Sequence, residues 1–281
     1  MSRQAAWQEA LGLQLNYFWL ALAFFTRIPI PADTPFSAER LNHASRYFSL
    51  VGGIVGLCAA LTLVLSYQLL PVSIAVLISM GATIRITGAF HEDGLADMAD
   101  GLGGGMTPER KLEIMKDSRL GTYGAVTLLL AILIKFFALY EITQHSLPDA
   151  LVALLSLHVL SRAVAGSLIF DMPYVRESGK AKPLAQNQSW PDLLILGFVG
   201  LLPLCLLSIE AALGLLLISL SLRVWIKRWL LRQLGGYTGD CLGATQQLTE
   251  LAGYLVWLLL MQQQIPRLSP LLLGLESIGG F

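Results

Sequence analysis

Seven stretches of this chain are apolar for long enough to cross about 30 Å of hydrocarbon at about 1.5 Å per helical residue. They lie near 49–70, 71–90, 122–140, 149–170, 191–209, 211–230 and 244–262. Such a pattern leaves little choice of environment: 55% of residues are hydrophobic and only 14% charged, with a mean hydropathy of +0.64, far more apolar than an ordinary soluble domain. The expected fold is all-α, a polytopic integral membrane protein of about seven transmembrane helices (six to eight), forming one domain over residues 1–281. An eighth apolar stretch, 11–25, is only about 15 residues long before Arg27 and predicts a short N-terminal interfacial or re-entrant helix. Because Arg27, rather than a small-residue cleavage site, follows that stretch, no cleaved signal peptide is expected and the chain is read as mature.

The placement of charge says more than its sum, which is zero, with 19 basic and 19 acidic residues. A zero balance gives no sign of a nucleic-acid partner. Lysine and arginine accumulate on the cytoplasmic side of membrane proteins. Segments 27–46 (Arg27, Arg40, Arg46), 85–119 (Arg85, Arg110, Lys111, Lys116, Arg119), 171–190 (Arg176, Lys180, Lys182) and 223–240 (Arg223, Lys227, Arg228, Arg232) carry a basic excess, whereas the turns at 66–72, 141–149 and 209–211 contain no lysine or arginine. Seven spans with alternating loops agree with one topology, in which the motif-bearing loops 91–121 and 235–244 face the cytoplasm. The three cysteines, Cys58, Cys205 and Cys241, form no short-spaced pair, so neither a disulfide framework nor a zinc site is expected.

The block His91-Glu92-Asp93-Gly94-Leu95-Ala96-Asp97-Met98-Ala99-Asp100 stands directly behind an apolar stretch. If it continues the preceding helix, Asp93, Asp97 and Asp100 fall at i, i+4 and i+7 and line one face. Three like charges on one stripe call for a cation. Magnesium, which takes one or two protein carboxylates and fills its octahedron with phosphate and water, suits Asp93 and Asp97, with Asp100 one turn on. Glu92 points about 100° away and joins a metal set only if the helix is irregular. His91 fits either a ligand or general base, or a helix-end histidine making one hydrogen bond.

Gly101, Gly103, Gly104 and Gly105 are expected to form a flexible loop whose N–H groups approach phosphate oxygens. Thr107-Pro108 then reads as a helix start, threonine at the N-cap and proline at the first turn. Arg110, Lys111, Lys116 and Arg119, with Asp117 among them, lie where cations grip a diphosphate, although the cytoplasmic bias in basic residues accounts for Arg110 and Lys111 equally well. Lys135 and Arg162, the latter one turn after His158, lie inside apolar spans, where a charge is costly and marks a paired or functional position. A second motif, Gly235-Gly236-Tyr237-Thr238-Gly239-Asp240, adds the hydroxyl of Thr238 and the acid of Asp240, and both motifs open toward the same face.

These motifs resemble those of the adenosylcobinamide-GDP ribazoletransferase (cobalamin synthase) family of the inner membrane of bacteria and archaea. The similarity runs along nearly the whole chain: Phe25-Thr26-Arg27-Ile28-Pro29-Ile30-Pro31, the block 91–105, Lys111 to Gly124 with its Lys116-Asp117-Ser118-Arg119 core, and Gly236 to Ala244. The resemblance implies a Mg2+-dependent phosphotransferase of the bacterial cytoplasmic membrane. It joins adenosylcobinamide-GDP to α-ribazole or its 5′-phosphate, releases GMP, and completes the cobamide nucleotide loop. Asp93, Asp97, His91 and Asp117 are then the catalytic candidates, and Glu92, Asp93, Asp97 and Asp100 the metal candidates. Arg110, Lys111, Lys116, Arg119, Gly103, Gly104, Thr238 and Asp240 are candidates for holding substrate. The expected partners are the two substrates and the lipid bilayer; a homo-oligomer, or association with other cobamide-assembly enzymes, is compatible with them.

Two other readings remain open at this point. CDP-alcohol phosphotransferases split a similar diphosphate with an aspartate run beginning Asp-Gly-x-x-Ala-Arg, but here Asp93-Gly94-Leu95-Ala96 is followed by Asp97. A secondary transporter would also carry intramembrane charges and interrupted helices, with its acids near the bilayer midplane. Here the acids sit at a helix end.

Overall fold

The computed structural model describes residues 3–117, 119–176 and 188–269, and most of them are helical. Eleven α-helices follow one another: α1 (Arg3–Phe25), α2 (Ala38–Ala44), α3 (Phe48–Tyr67), α4 (Val72–Thr87), α5 (Phe90–Gly104), α6 (Pro108–Ile114), α7 (Thr122–His145), α8 (Leu147–Asp171), α9 (Trp190–Leu201), α10 (Ile209–Leu234) and α11 (Gly239–Gln262). The architecture is that of an all-α membrane protein. Among the described residues no strand forms, only two isolated bridges, Tyr174 with Tyr237 and Leu207 with Leu268.

Local chemistry accounts for the helix starts. Ser146 caps α8 by accepting from the Asp149 N–H, Ser208 caps α10 and Thr238 caps α11. Thr107 accepts from the Arg110 N–H ahead of Pro108, as its sequence predicts.

The axis of the bundle is α8. Along its most apolar stretch 83% of positions are buried, against 28% in α7 and 22% in α10, whose outer faces are free to meet lipid. Around α8 pack α3, α9, α10 and α11, and Gly52 and Gly56 let α3 approach its backbone closely. One apolar core joins Leu63, Leu139, Leu157, Tyr254 and Trp257, toward the end of the bundle away from α5.

Seven spans are not recovered. Four helices, or the stretches that contain them, are long and apolar enough to cross a membrane (38–67, 122–145, 147–171 and 209–234), and a fifth is reached if α4 and α5 count as one bent span. The stretch 191–209 falls short because α9 stops at Leu201 and a 3-10 turn containing Pro203 follows. In α11 the polar residues Gln246, Gln247 and Glu250 are turned inward and buried, which lowers its hydropathy without exposing them. The N-terminal helix begins at Arg3, earlier than 11–25 suggests, yet is not among the helices apolar enough to cross.

Two residues decide where the acidic block goes. Gly88 and Ala89 both take left-handed conformations, φ 68° and 58°, and α5 leaves α4 at 84°. Glycine accepts this at little cost, whereas alanine there is strained by about 1–2 kcal/mol. The block is therefore not a continuation of the preceding helix. It is a separate helix laid across one end of the bundle, and the i, i+4, i+7 stripe survives because it starts afresh at Phe90.

Candidate active site

α5 crosses α11 near the start of both helices, and the crossing is close because it is made through glycine. A Cβ on Gly94 would stand 2.8 Å from the Asp240 carbonyl oxygen, and one on Gly243 would stand 3.3 Å from the His91 Cα. The crossing brings Asp93 and Asp97 of α5 beside Asp240 of α11. The two segments that the sequence places on one face thus do converge.

These carboxylates act on one another. Burial, then Asp240, Asp93 and Asp100, raise the Asp97 carboxyl to about 7, with Arg176 opposing. Burial also raises Asp240, against the pull of Arg176. The Arg176 guanidinium donates to Asp240 Oδ2 at 2.7 Å and to the Met115 carbonyl at 3.2 Å, which fixes it between α11 and the end of α6. Its segment is held by the 173–175/237 backbone pairing, with Val175 N–H to Tyr237 O and Tyr237 N–H to Pro173 O, both 3.0 Å. Among the described residues, three acids meet one arginine here, a deficit of positive charge.

Among the described residues, no three His, Cys, Asp or Glu side chains stand together closely enough to cage an ion by themselves. A cation bound through two of the acids, with a diphosphate and water completing its shell, nevertheless fits both this charge deficit and the oxygen-only chemistry of Asp93, Asp97 and Asp240.

The other candidates are distributed differently. Asp100 accepts from the Gly121 and Gly124 N–H groups at 2.7 and 2.8 Å, so it neutralises the start of α7. His91 points away from the stripe into a buried aromatic nest with Phe48 and Phe90, and neither ring nitrogen has a hydrogen-bond partner among the described residues. Glu92 turns inward and accepts from Gln247 at 3.0 Å. Thr238 spends its hydroxyl on capping α11 and on a 3.4 Å bond to Asp240.

The glycine run is not a loop. Gly101, Gly103 and Gly104 belong to α5, and the Gly105 N–H donates to Gly101 O, so their N–H groups are not free to cradle phosphate. Packing overrides the usual reluctance of glycine to enter helices: a Cβ on Gly101 would strike Met115 at 2.3 Å and one on Gly103 would strike the Tyr123 ring at 2.6 Å.

On the far flank of α5 an open groove of about 470 Å³ is walled by Asp100, Arg110, Glu113, Asp117, Arg119 and Tyr123. Arg110 pairs with Glu113 at 2.7 Å and Arg119 with Asp117 at 2.6 Å, all at the surface, and Arg119 holds the Asp117 carboxyl below its usual range. Lys116 is exposed beside them, while Lys111 is buried and bonded to Gln233 of α10. Lys180 and Lys182 lie outside the described residues.

Sequence reasoning missed Arg176 as a site residue. It stands in a short non-helical segment with no period to orient it, and only its charge was visible. Glu250 was missed as well. It is the acid that answers Lys135, at 2.6 Å, deep in the bundle, with His158 at 3.5 Å and Arg162 bonded to His158.

The family model described as cobalamin-5-phosphate synthase matches residues 17–258. The chain belongs to that family. Among similar proteins, one from Shewanella amazonensis is 51% identical over 89% of this chain and 97% of its own length. One from Vibrio parahaemolyticus is 48% identical over 88% and 94%, and one from Shewanella frigidimarina 49% identical over 91% and 97%. All three bear the name adenosylcobinamide-GDP ribazoletransferase. No solved structure matches the chain.

Proposed function

We propose that this protein transfers the cobinamide-phosphate part of adenosylcobinamide-GDP to α-ribazole or its 5′-phosphate, releasing GMP. The observation that carries the reading is the meeting of Asp93, Asp97 and Asp240 beside Arg176, at one end of a bundle whose family is cobalamin-5-phosphate synthase. Basic side chains gather at that same end, with Arg223 and Lys227 of α10 reaching Asp171 at the foot of α8 and Lys111 reaching Gln233. By the distribution of basic residues, that end is the cytoplasmic face of a bacterial inner membrane.

In this reading a hydroxyl of the ribazole ribose attacks the phosphorus nearer the corrinoid, its P–O bond forms as the bond to GMP breaks, and GMP carries away the electron pair. Two of the three acids Asp93, Asp97 and Asp240 would hold a Mg2+ ion, which when bound neutralises the diphosphate and the charge growing on the departing phosphate. Arg176 keeps Asp240 aimed at the site and limits repulsion among the acids. Lys116 and Arg119 line the approach from the groove and offer the nucleotide phosphate a charged grip. One of the carboxylates accepts the proton of the attacking hydroxyl.

The direct test is turnover by purified protein in lipid nanodiscs supplied with adenosylcobinamide-GDP and α-ribazole, followed as GMP release. Release that stops in EDTA and returns with Mg2+ is expected; full turnover in chelator would refute the metal role, and no GMP release at all would refute the reaction.

A further inference from the structure

The buried charges of the bundle interior and the acids of its end are joined by an unbroken chain of side chains. Lys135 of α7 pairs with Glu250 of α11, and Gln246 donates to the other Glu250 oxygen at 2.6 Å and to Ser161 of α8 at 3.1 Å. Gln247 Nε2 then donates both to Gln246 Oε1 and to Glu92 Oε1, each at 3.0 Å. Tyr254 closes on Glu250 from the next turn, and Arg162 lies within electrostatic reach of Glu250 and of Glu92. Only the last link leaves α11 for α5.

That last link sits where it has leverage. α5 and α11 carry the three acids of the site, and at the Gly94 and Gly243 contacts they touch through backbone, which sets their separation. At the glycine contacts themselves no side chain sets the rotation of one helix against the other, so it is set further out, by the apolar core that Leu95 and Met98 share with Cys241, Ala244 and Leu251 and by the polar link of Gln247 to Glu92. The Gln247–Glu92 bond lies roughly two turns along α11 from Asp240 and one residue before Asp93 on α5, so it opposes that rotation. Gln247 is almost wholly buried, so the bond is sheltered from competing water.

We infer that Gln247 is a positioning residue: through Glu92 it fixes the rotation of α5 against α11 and so sets the distance between Asp93, Asp97 and Asp240. Glu92 is then a tether and not a ligand. This inference rests on the proposed cation-dependent transfer and concerns the same site.

The test compares wild type with Q247M, which keeps the side-chain length and removes the donors, with Q247N, which keeps the amide and cannot reach, and with E92Q, which removes the charge and keeps an acceptor. Mn2+ is the probe, its binding read by loss of the free-ion EPR signal in nanodiscs, alongside melting temperature and the Mg2+ dependence of GMP release. Q247M and Q247N are expected to weaken Mn2+ about 10-fold, the usual effect of removing an outer-shell support, while turnover at saturating Mg2+ falls far less. E92Q is expected to bind Mn2+ within about 2-fold of wild type, as the tether survives.

If the Gln247 variants bind Mn2+ like wild type, or change only in melting temperature, the positioning role is overturned. If E92Q loses as much affinity as they do, Glu92 is a ligand and the tether assignment fails. Should Q247M not fold, Q247N and E92Q still decide. Absence of Mn2+ binding by wild type itself would sink the inference together with the metal reading, whereas normal wild-type binding with unaffected Gln247 variants would sink the inference alone.

Discussion

Two clusters of charge occupy this protein, and they are built on opposite principles. In the interior, Lys135, Glu250, His158 and Arg162 answer one another along α7, α8 and α11, with Gln246, Ser161 and Tyr254 taking up the remaining bonds of Glu250 and its neighbours. At the end of the bundle, Asp93, Asp97 and Asp240 face one another with, among the described residues, Arg176 alone between them. In the first cluster the lysine has its acid, Glu250, within the bundle, as a charge in hydrocarbon must have a partner. The second is left short of positive charge at a place water can reach, which is what a site needs if it is to be completed by a cation and a diphosphate.

The sharpest way to break this contrast is to remove an acid from each cluster. Asp97→Asn and Asp240→Asn should each cut GMP release by about 100-fold or more, because charge opposite a reacting phosphate contributes on that scale, with membrane insertion and melting temperature near wild type. Glu250→Ala should do the reverse and act on folding. It strands Lys135 without its partner, a change that costs about 3–5 kcal/mol in a buried pair, so little folded protein should survive detergent extraction. The double replacement K135M/E250L should recover most of that stability, since the pair then disappears together. Measured melting temperatures in nanodiscs check both.

Smaller effects sharpen the picture around the site. Arg176→Gln should lower turnover about 10-fold, the order expected when a support behind a liganding acid is lost; an unchanged rate would mean that Asp240 holds its place without it. Lys116→Ala, at the exposed edge of the groove, should raise the KM for adenosylcobinamide-GDP about 3-fold and leave kcat alone, since a solvated charge is worth at most about 1 kcal/mol. An unaltered KM would return Lys116 to marking the cytoplasmic side.

Much of this was legible from the residues because its causes are local. The Thr107-Pro108 start of α6, the i, i+4 spacing of Asp93 and Asp97, and the need of Lys135 and Arg162 for partners all follow from short-range chemistry. What was not legible depends on residues far apart in the chain. The glycines 101–104 read as a loop because glycine disfavours helix, and only the Met115 and Tyr123 side chains filling their Cβ positions make helix the better solution. Asp100 read as a ligand because it shares the stripe, but the α7 N–H groups that claim it are 21 and 24 residues away. Arg176 could not be tied to Asp240 across 64 residues by any periodicity. The count of seven spans is not confirmed for a related reason: hydropathy measures what a helix is made of, and α11 hides its polar face against its neighbours, so composition alone leaves it out.

The left-handed joint at Gly88 and Ala89 sets how far the acids reach beyond the end of the bundle. Were α4 to run on as one straight rod, the nine helical steps from Gly88 to Asp97 would carry that carboxylate roughly 13 Å further outward, beyond the start of α11 and out of range of Asp240. Folding the rod sideways keeps the acid at the level where the second helix begins, so a hinge two residues wide determines whether the acids of the two helices meet at all.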